Sequence, residues 1–126
     1  MNKNLPDKPF SPRDRLHSFR FAFKGILLLL KTQHNAWIHT MAAICVILFG
    51  LILKISAKEW CLVFLAIGGV FAAEAFNTAI EYLVDMVSPD YHEKAGKIKD
   101  LAAGAVLLIA FAAALTGLII FLPKLF

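Results

Sequence analysis

The chain has 126 residues, of which 60% are hydrophobic and 17% charged, against about 45–50% and roughly 25% in an ordinary soluble domain. So small a globule cannot hide that much apolar surface, which excludes a soluble core and makes an all-α membrane protein the expected class. The composition also excludes a disordered chain, and Cys45 and Cys61, both inside apolar runs, read as small hydrophobes rather than a disulfide scaffold.

Thirteen cations against nine acids give a net charge of +4, a balance that can mark nucleic-acid binding. Their distribution points to a membrane instead. Lys3, Lys8, Arg13, Arg15, Arg20, Lys24 and Lys31 all precede the first long apolar run, as on the cytoplasmic flank of a membrane protein. No nucleic-acid partner is expected.

Residues 1–12 carry Pro6, Pro9 and Pro12 and read as a flexible leader, ahead of a single membrane domain over 13–126. The first thirty residues lack a compact apolar core with a small-residue cleavage site, so no cleavable signal is expected. Over about 13–32 the spacing predicts an amphipathic surface helix. Arg13, His17, Arg20, Lys24 and Lys31 fall within an arc of about 60°, beside an arc of Leu16, Phe19, Phe23, Leu27 and Leu30. Those cations either lie over anionic headgroups or, Lys24 among them, hold a phosphate-bearing ligand.

Three apolar runs follow, at 37–53, 60–76 and 101–122, each close to the roughly 20 residues that cross a bilayer as a helix. They predict transmembrane helices over about 36–54, 60–87 and 89–122. Ser88 and Pro89 read as the cap and first residue of the third, which would protrude some 18 Å before Leu101 enters lipid. The cation count places the N-terminus and the 85–100 loop inside and the C-terminus outside, in a multi-pass inner-membrane protein with Trp37 and Trp60 near opposite rims.

A carboxylate within a membrane helix costs about 2.5–3.5 kcal/mol even on a lenient scale, so Glu74 needs a partner or a purpose. Counting from Glu74 at 100° per residue, Asn77 lies at about −60°, Glu81 at about −20° and Asp85 at about +20°, one stripe of the second helix. Lys99 and Asp100 stop just before the third span, and Gln33, His34 and Asn35 just before the first, so polar groups from all three helices reach one layer. That layer could face a soluble nucleotide from one side and the hydroxyl head of an amphiphile from the other.

Phosphoryl transfer needs such a set: carboxylates for Mg²⁺, a cation near the phosphate, and a base beside the attacking hydroxyl. Glu81 with Asp85 or Asp100 could hold the metal, Lys99 the phosphates of ATP, and the deeper, drier Glu74 the hydroxyl proton. The small run from Ala102 to Ala105 would let another helix approach closely. No glycine-rich phosphate loop, H-E-x-x-H or paired cysteines occur, and His39 and His92 each stand alone, as satisfied helical histidines do. Two rivals use the same stripe: a small oligomeric proton-coupled transporter working through Glu74, and a structural oligomer held by a polar seam.

The run from Glu74 to Glu81 (E-A-F-N-T-A-I-E), then Asp85, Tyr91-His92-Glu93 and Lys97-Ile-Lys99-Asp100 followed by A-A-G-A-V-L, resembles the prokaryotic integral-membrane diacylglycerol kinase and undecaprenol kinase family. The likeness extends back to Phe23-Lys24-Gly25. It implies a homotrimer of three-span protomers with a surface helix, moving the γ-phosphate of MgATP to a membrane lipid alcohol. By motif position it implies Glu74 as general base, Asn77 as its polar neighbour, Glu81 as a magnesium ligand, Lys99 and Asp100 as nucleotide contacts, and Tyr91 and His92 as lesser ones. One departure stands out: Gln33 occupies the place of a glutamate that usually supplies a second metal ligand, and a neutral amide should hold Mg²⁺ less tightly. The A-A-G-A-V-L run, with His34-Asn35 and Ile38-His39, looks closer to the undecaprenol branch, while diacylglycerol stays open as the acceptor.

Overall fold

The computed structural model describes residues 8–126, so most of the expected leader lies outside the described residues. They form four helices: α1 (Pro12–Thr32), α2 (His34–Ile52), α3 (Ala57–Val87) and α4 (Glu93–Leu125). α2, α3 and α4 are each long and apolar enough to cross a membrane. Cys45 and Cys61 are free thiols, exposed on α2 and α3.

α1 starts where Ser11 adopts an extended backbone and its hydroxyl accepts from the Asp14 N–H at 3.4 Å, with Pro12 in the first turn, where it forfeits no helical bond. It stops at Gln33, a single extended residue (φ −106°, ψ 115°) that separates it from α2. The Trp37 indole N–H crosses this joint to donate to the Leu30 carbonyl, in the last turn of α1, where carbonyls lack helical donors. Leu29, before the joint, and Ala36, after it, are both buried.

At the far end, α2 closes through Lys54 in the left-handed region (φ 51°), with the Ile55 N–H returning to the Gly50 carbonyl at 3.1 Å. α3 then opens on a reciprocal cap. The Glu59 N–H donates to the Ser56 hydroxyl at 3.2 Å, and the Ser56 N–H to Glu59 Oε2 at 2.8 Å. The other Glu59 oxygen lies 3.3 Å from Lys124 Nζ, tying the start of α3 to the end of α4. Beneath these contacts Ile55, Val63 and Ile120 form the apolar core, flanked by Trp60 and Phe121.

The sequence expectation for the α3–α4 junction is corrected here. Ser88 ends α3 instead of starting α4: its N–H bonds back to the Val84 carbonyl at 2.8 Å, and Pro89, which cannot continue a helix, follows. α4 begins at Glu93, capped by His92, whose Nδ1 accepts from the Lys94 N–H at 3.1 Å.

α3 is the central helix, packed along α4, against α2, and touched by α1. Its buried residues Val63, Val70, Glu74, Thr78 and Val84 follow one inward stripe, so the face that holds the bundle together also carries the carboxylate. At 1.5 Å per residue the 31 residues of α3 run about 46 Å, well beyond a hydrocarbon core of about 30 Å.

Candidate active site

Burial of the α3 stripe forces each polar group on it to find a partner. Glu74 is 2% exposed, and its Oε1 lies 3.1 Å from His39 Nε2, the side chain α2 presents to it. One turn along α3, the Asn77 amide Nδ2 donates to Glu81 Oε1 at 3.2 Å, the contact that i,i+4 spacing allows. Another turn on, Asp85 pairs with Lys99 of α4. The stripe thus becomes three pairs, passing from a buried carboxylate, through the half-buried Glu81, to an exposed Asp85.

Two buried oxygens stay unpartnered among the described residues, Asn77 Oδ1 and Thr78 Oγ1. A buried acceptor without a donor is costly, so Asn77 Oδ1 marks a place for a proton donor or a cation. Gln33 stands at the α1–α2 joint. Its amide Nε2 donates to the Thr32 hydroxyl at 3.3 Å, a bond that uses one amide hydrogen and leaves the oxygen for another partner.

The remaining sequence candidates stay outside this row. Asp100 is exposed beside Lys99 and enters none of the ion pairs among the described residues. Tyr91 is 95% exposed in the α3–α4 turn, and the Nδ1 of His92 is taken by the α4 cap. Lys24 is exposed on α1 with its ammonium 5.5 Å from the Phe21 ring. Among the described residues no three His, Cys, Asp or Glu side chains gather as a metal cluster. Asp85, one of the two carboxylates considered beside Glu81, is engaged by Lys99 instead.

Sequence reading missed the tie between His39 and Glu74. The sequence shows a histidine on one apolar helix and a carboxylate on the next, but nothing local to either residue says that the two face each other. His39 also borders an apolar groove of about 450 Å³ between α2, α3 and α4, walled by Ala43, Val46, Phe71, Ala113 and Gly117 among others. The Glu74–His39 pair therefore meets the apolar cleft through the imidazole.

The family model for prokaryotic diacylglycerol kinase matches residues 20–121. An undecaprenol kinase of Bacillus subtilis is 44% identical over 86% of this chain and 88% of its own length. A diacylglycerol kinase of Synechocystis is 41% identical over 87% of this chain and 63% of its own, and that of Escherichia coli K12 is 29% identical over 79% and 70%. With a match that runs from the middle of α1 almost to the end of α4, the chain belongs to the prokaryotic diacylglycerol kinase family, a family of membrane lipid kinases.

Proposed function

We propose that the chain transfers the γ-phosphate of ATP to the hydroxyl of a membrane lipid alcohol, at the cytoplasmic face of the inner membrane. The observation that carries this reading is a carboxylate 2% exposed, Glu74, tied to the His39 that borders an apolar cleft and about 10 Å along α3 from the half-buried Glu81. An amphiphile's tail suits the cleft, and its head then meets Glu74. Glu74 takes the hydroxyl proton as the lipid oxygen forms its bond to the γ-phosphorus. The bond from that phosphorus to the β-phosphate oxygen breaks, and ADP leaves.

Mg²⁺ arrives with ATP as part of the substrate. Glu81, the open Asn77 Oδ1 and the Gln33 amide oxygen suit it, because magnesium takes hard oxygen ligands and commonly keeps only one or two protein carboxylates beside phosphate oxygens and water. The ion would neutralise charge on the phosphates. Lys99, released from Asp85, and Asp100 serve the nucleotide, with Lys24, Tyr91 and His92 further out. On this reading α1 lies on the membrane surface, its cations toward headgroups. Three copies complete the enzyme, the N-terminus is inside and the C-terminus outside.

As to the acceptor, the relative named undecaprenol kinase, at 44% identity over 88% of its length, supports an isoprenoid alcohol ahead of diacylglycerol. Family membership favours the kinase over the proton-coupled transporter. The test supplies purified protein with radiolabelled ATP, Mg²⁺ and either lipid. Labelled undecaprenyl phosphate or phosphatidic acid is expected from the parent, and none from Glu74→Gln or Asp100→Asn, both still assembled. Full turnover in both variants would show the roles to be misassigned.

A further inference from the structure

The geometry points to His39 as the positioning residue of Glu74, holding one carboxylate oxygen so that the other faces the lipid hydroxyl. This inference rests on the reading of Glu74 as the base.

An ionised carboxylate can only accept hydrogen bonds, so the proton between Glu74 Oε1 and His39 Nε2, 3.1 Å apart, belongs to the imidazole. Glu74 stands 2% exposed on α3, away from bulk water. A glutamate has three side-chain torsions, and among the described residues His39 is the polar partner that selects one of its orientations. His39 is itself fixed. α2 sets its backbone, and the Phe71 ring, one turn before Glu74 on α3, meets it edge-on with centroids 6.4 Å apart and planes at 76°. The imidazole is therefore wedged between an aromatic edge and the carboxylate it donates to.

His39 has a second contact that Glu74 lacks, since its ring forms part of the wall of the apolar cleft. A lipid whose tail lies in the cleft passes the imidazole before its head reaches Oε2 of Glu74. The Nε2–H bond occupies Oε1, on the His39 side, and leaves Oε2 as the free basic oxygen. Position and a single N–H donor are what the role requires, and no proton leaves His39 in the reaction.

The test compares His39→Leu, His39→Gln and His39→Asn in purified protein, with labelled ATP and undecaprenol, and Glu74→Gln in parallel. Glutamine can place an N–H where Nε2 stands, leucine has no donor, and asparagine is one methylene too short. Loss of a hydrogen bond to a charged group predicts a kcat lower by roughly ten- to a hundredfold in His39→Leu and His39→Asn, with KM for ATP unchanged. His39→Gln should recover to within about threefold of the parent.

Parent-like kcat in His39→Leu beside an inactive Glu74→Gln would overturn the role of His39 and leave the base in place. An active Glu74→Gln would overturn the base, and this inference with it. Equal losses in all three His39 variants, with a raised KM for ATP, would reduce His39 to a packing residue. If His39→Leu fails to assemble, the contrast between glutamine and asparagine decides the matter alone.

Discussion

Lys99 lies beside Asp85 and, on the proposed reading, leaves it for the phosphates of ATP. The two roles differ in size. Both side chains of the pair are more than a third exposed, 38% for Lys99 and 62% for Asp85, so as a structural bridge the pair contributes only about 0.2–1 kcal/mol. A charge-assisted contact to a phosphate contributes about 1.5–3 kcal/mol, or a factor of roughly 10 to 150. Lys99→Met should therefore leave the thermal midpoint in detergent nearly where it was while kcat/KM for ATP falls at least about tenfold. Asp85→Asn frees the ammonium and should keep kcat/KM within about threefold. The assay is initial-rate transfer from labelled ATP to lipid in mixed micelles over a range of ATP, alongside thermal unfolding in the same detergent. A Lys99→Met enzyme within threefold of the parent refutes the nucleotide role, and so does an equal loss in Asp85→Asn, because the ion pair would then matter and not the cation.

Gln33→Glu restores a charge at the α1–α2 joint and should lower the Mg²⁺ concentration for half-maximal rate; an unmoved requirement would remove residue 33 from the metal's surroundings. Gly50→Ala puts a Cβ 2.7 Å from Trp60 Cη2 and 3.1 Å from Ile55 Cδ1. The overpacking, about 1–3 kcal/mol, outweighs the ~0.5–1 kcal/mol gain in helix propensity, so the thermal midpoint should fall, whereas a rise would mean that Trp60 yields freely. Removing the ion pair at the far end with Lys124→Met should leave the kinetics of phosphate transfer unaltered, and a changed KM for ATP would contradict the placement of the site at the α1 end.

The helices were legible because each has a local cause. Long apolar runs can only become helices in lipid, and the i,i+4 spacing of Asn77 and Glu81 places them in contact on any helix. The Asp85–Lys99 pair, fourteen residues apart, follows from two antiparallel helices joined by a short turn, which the sequence implies by placing both at one level. The turn itself was misread, because Ser-Pro serves as well after a helix as before one. Whether Ser88 ends α3 depends on whether the Val84 carbonyl still needs a donor, which the adjacent residues do not reveal. His39 was illegible for another reason. Its meaning comes from a neighbour thirty-five residues away on a different helix, and a solitary histidine leaves no periodic trace.

The order of the pairs along α3 gives the proposed chemistry its physical logic. On the proposed reading, with Trp60 at one rim, Glu74 would lie about 21 Å into a hydrocarbon layer of about 30 Å, Glu81 about 31 Å and Asp85 about 37 Å along the helix. A base must keep water away, which favours the buried position; a nucleotide must enter and leave, which favours the exposed one. A helix of this length satisfies both where it overruns the bilayer. A shorter α3 would drown the base or bury the nucleotide contacts, so deleting one turn between Glu74 and Glu81 should abolish transfer even if the remaining helix still inserts. Continued transfer by such a deletion would show that the spacing along α3 does not set the reaction.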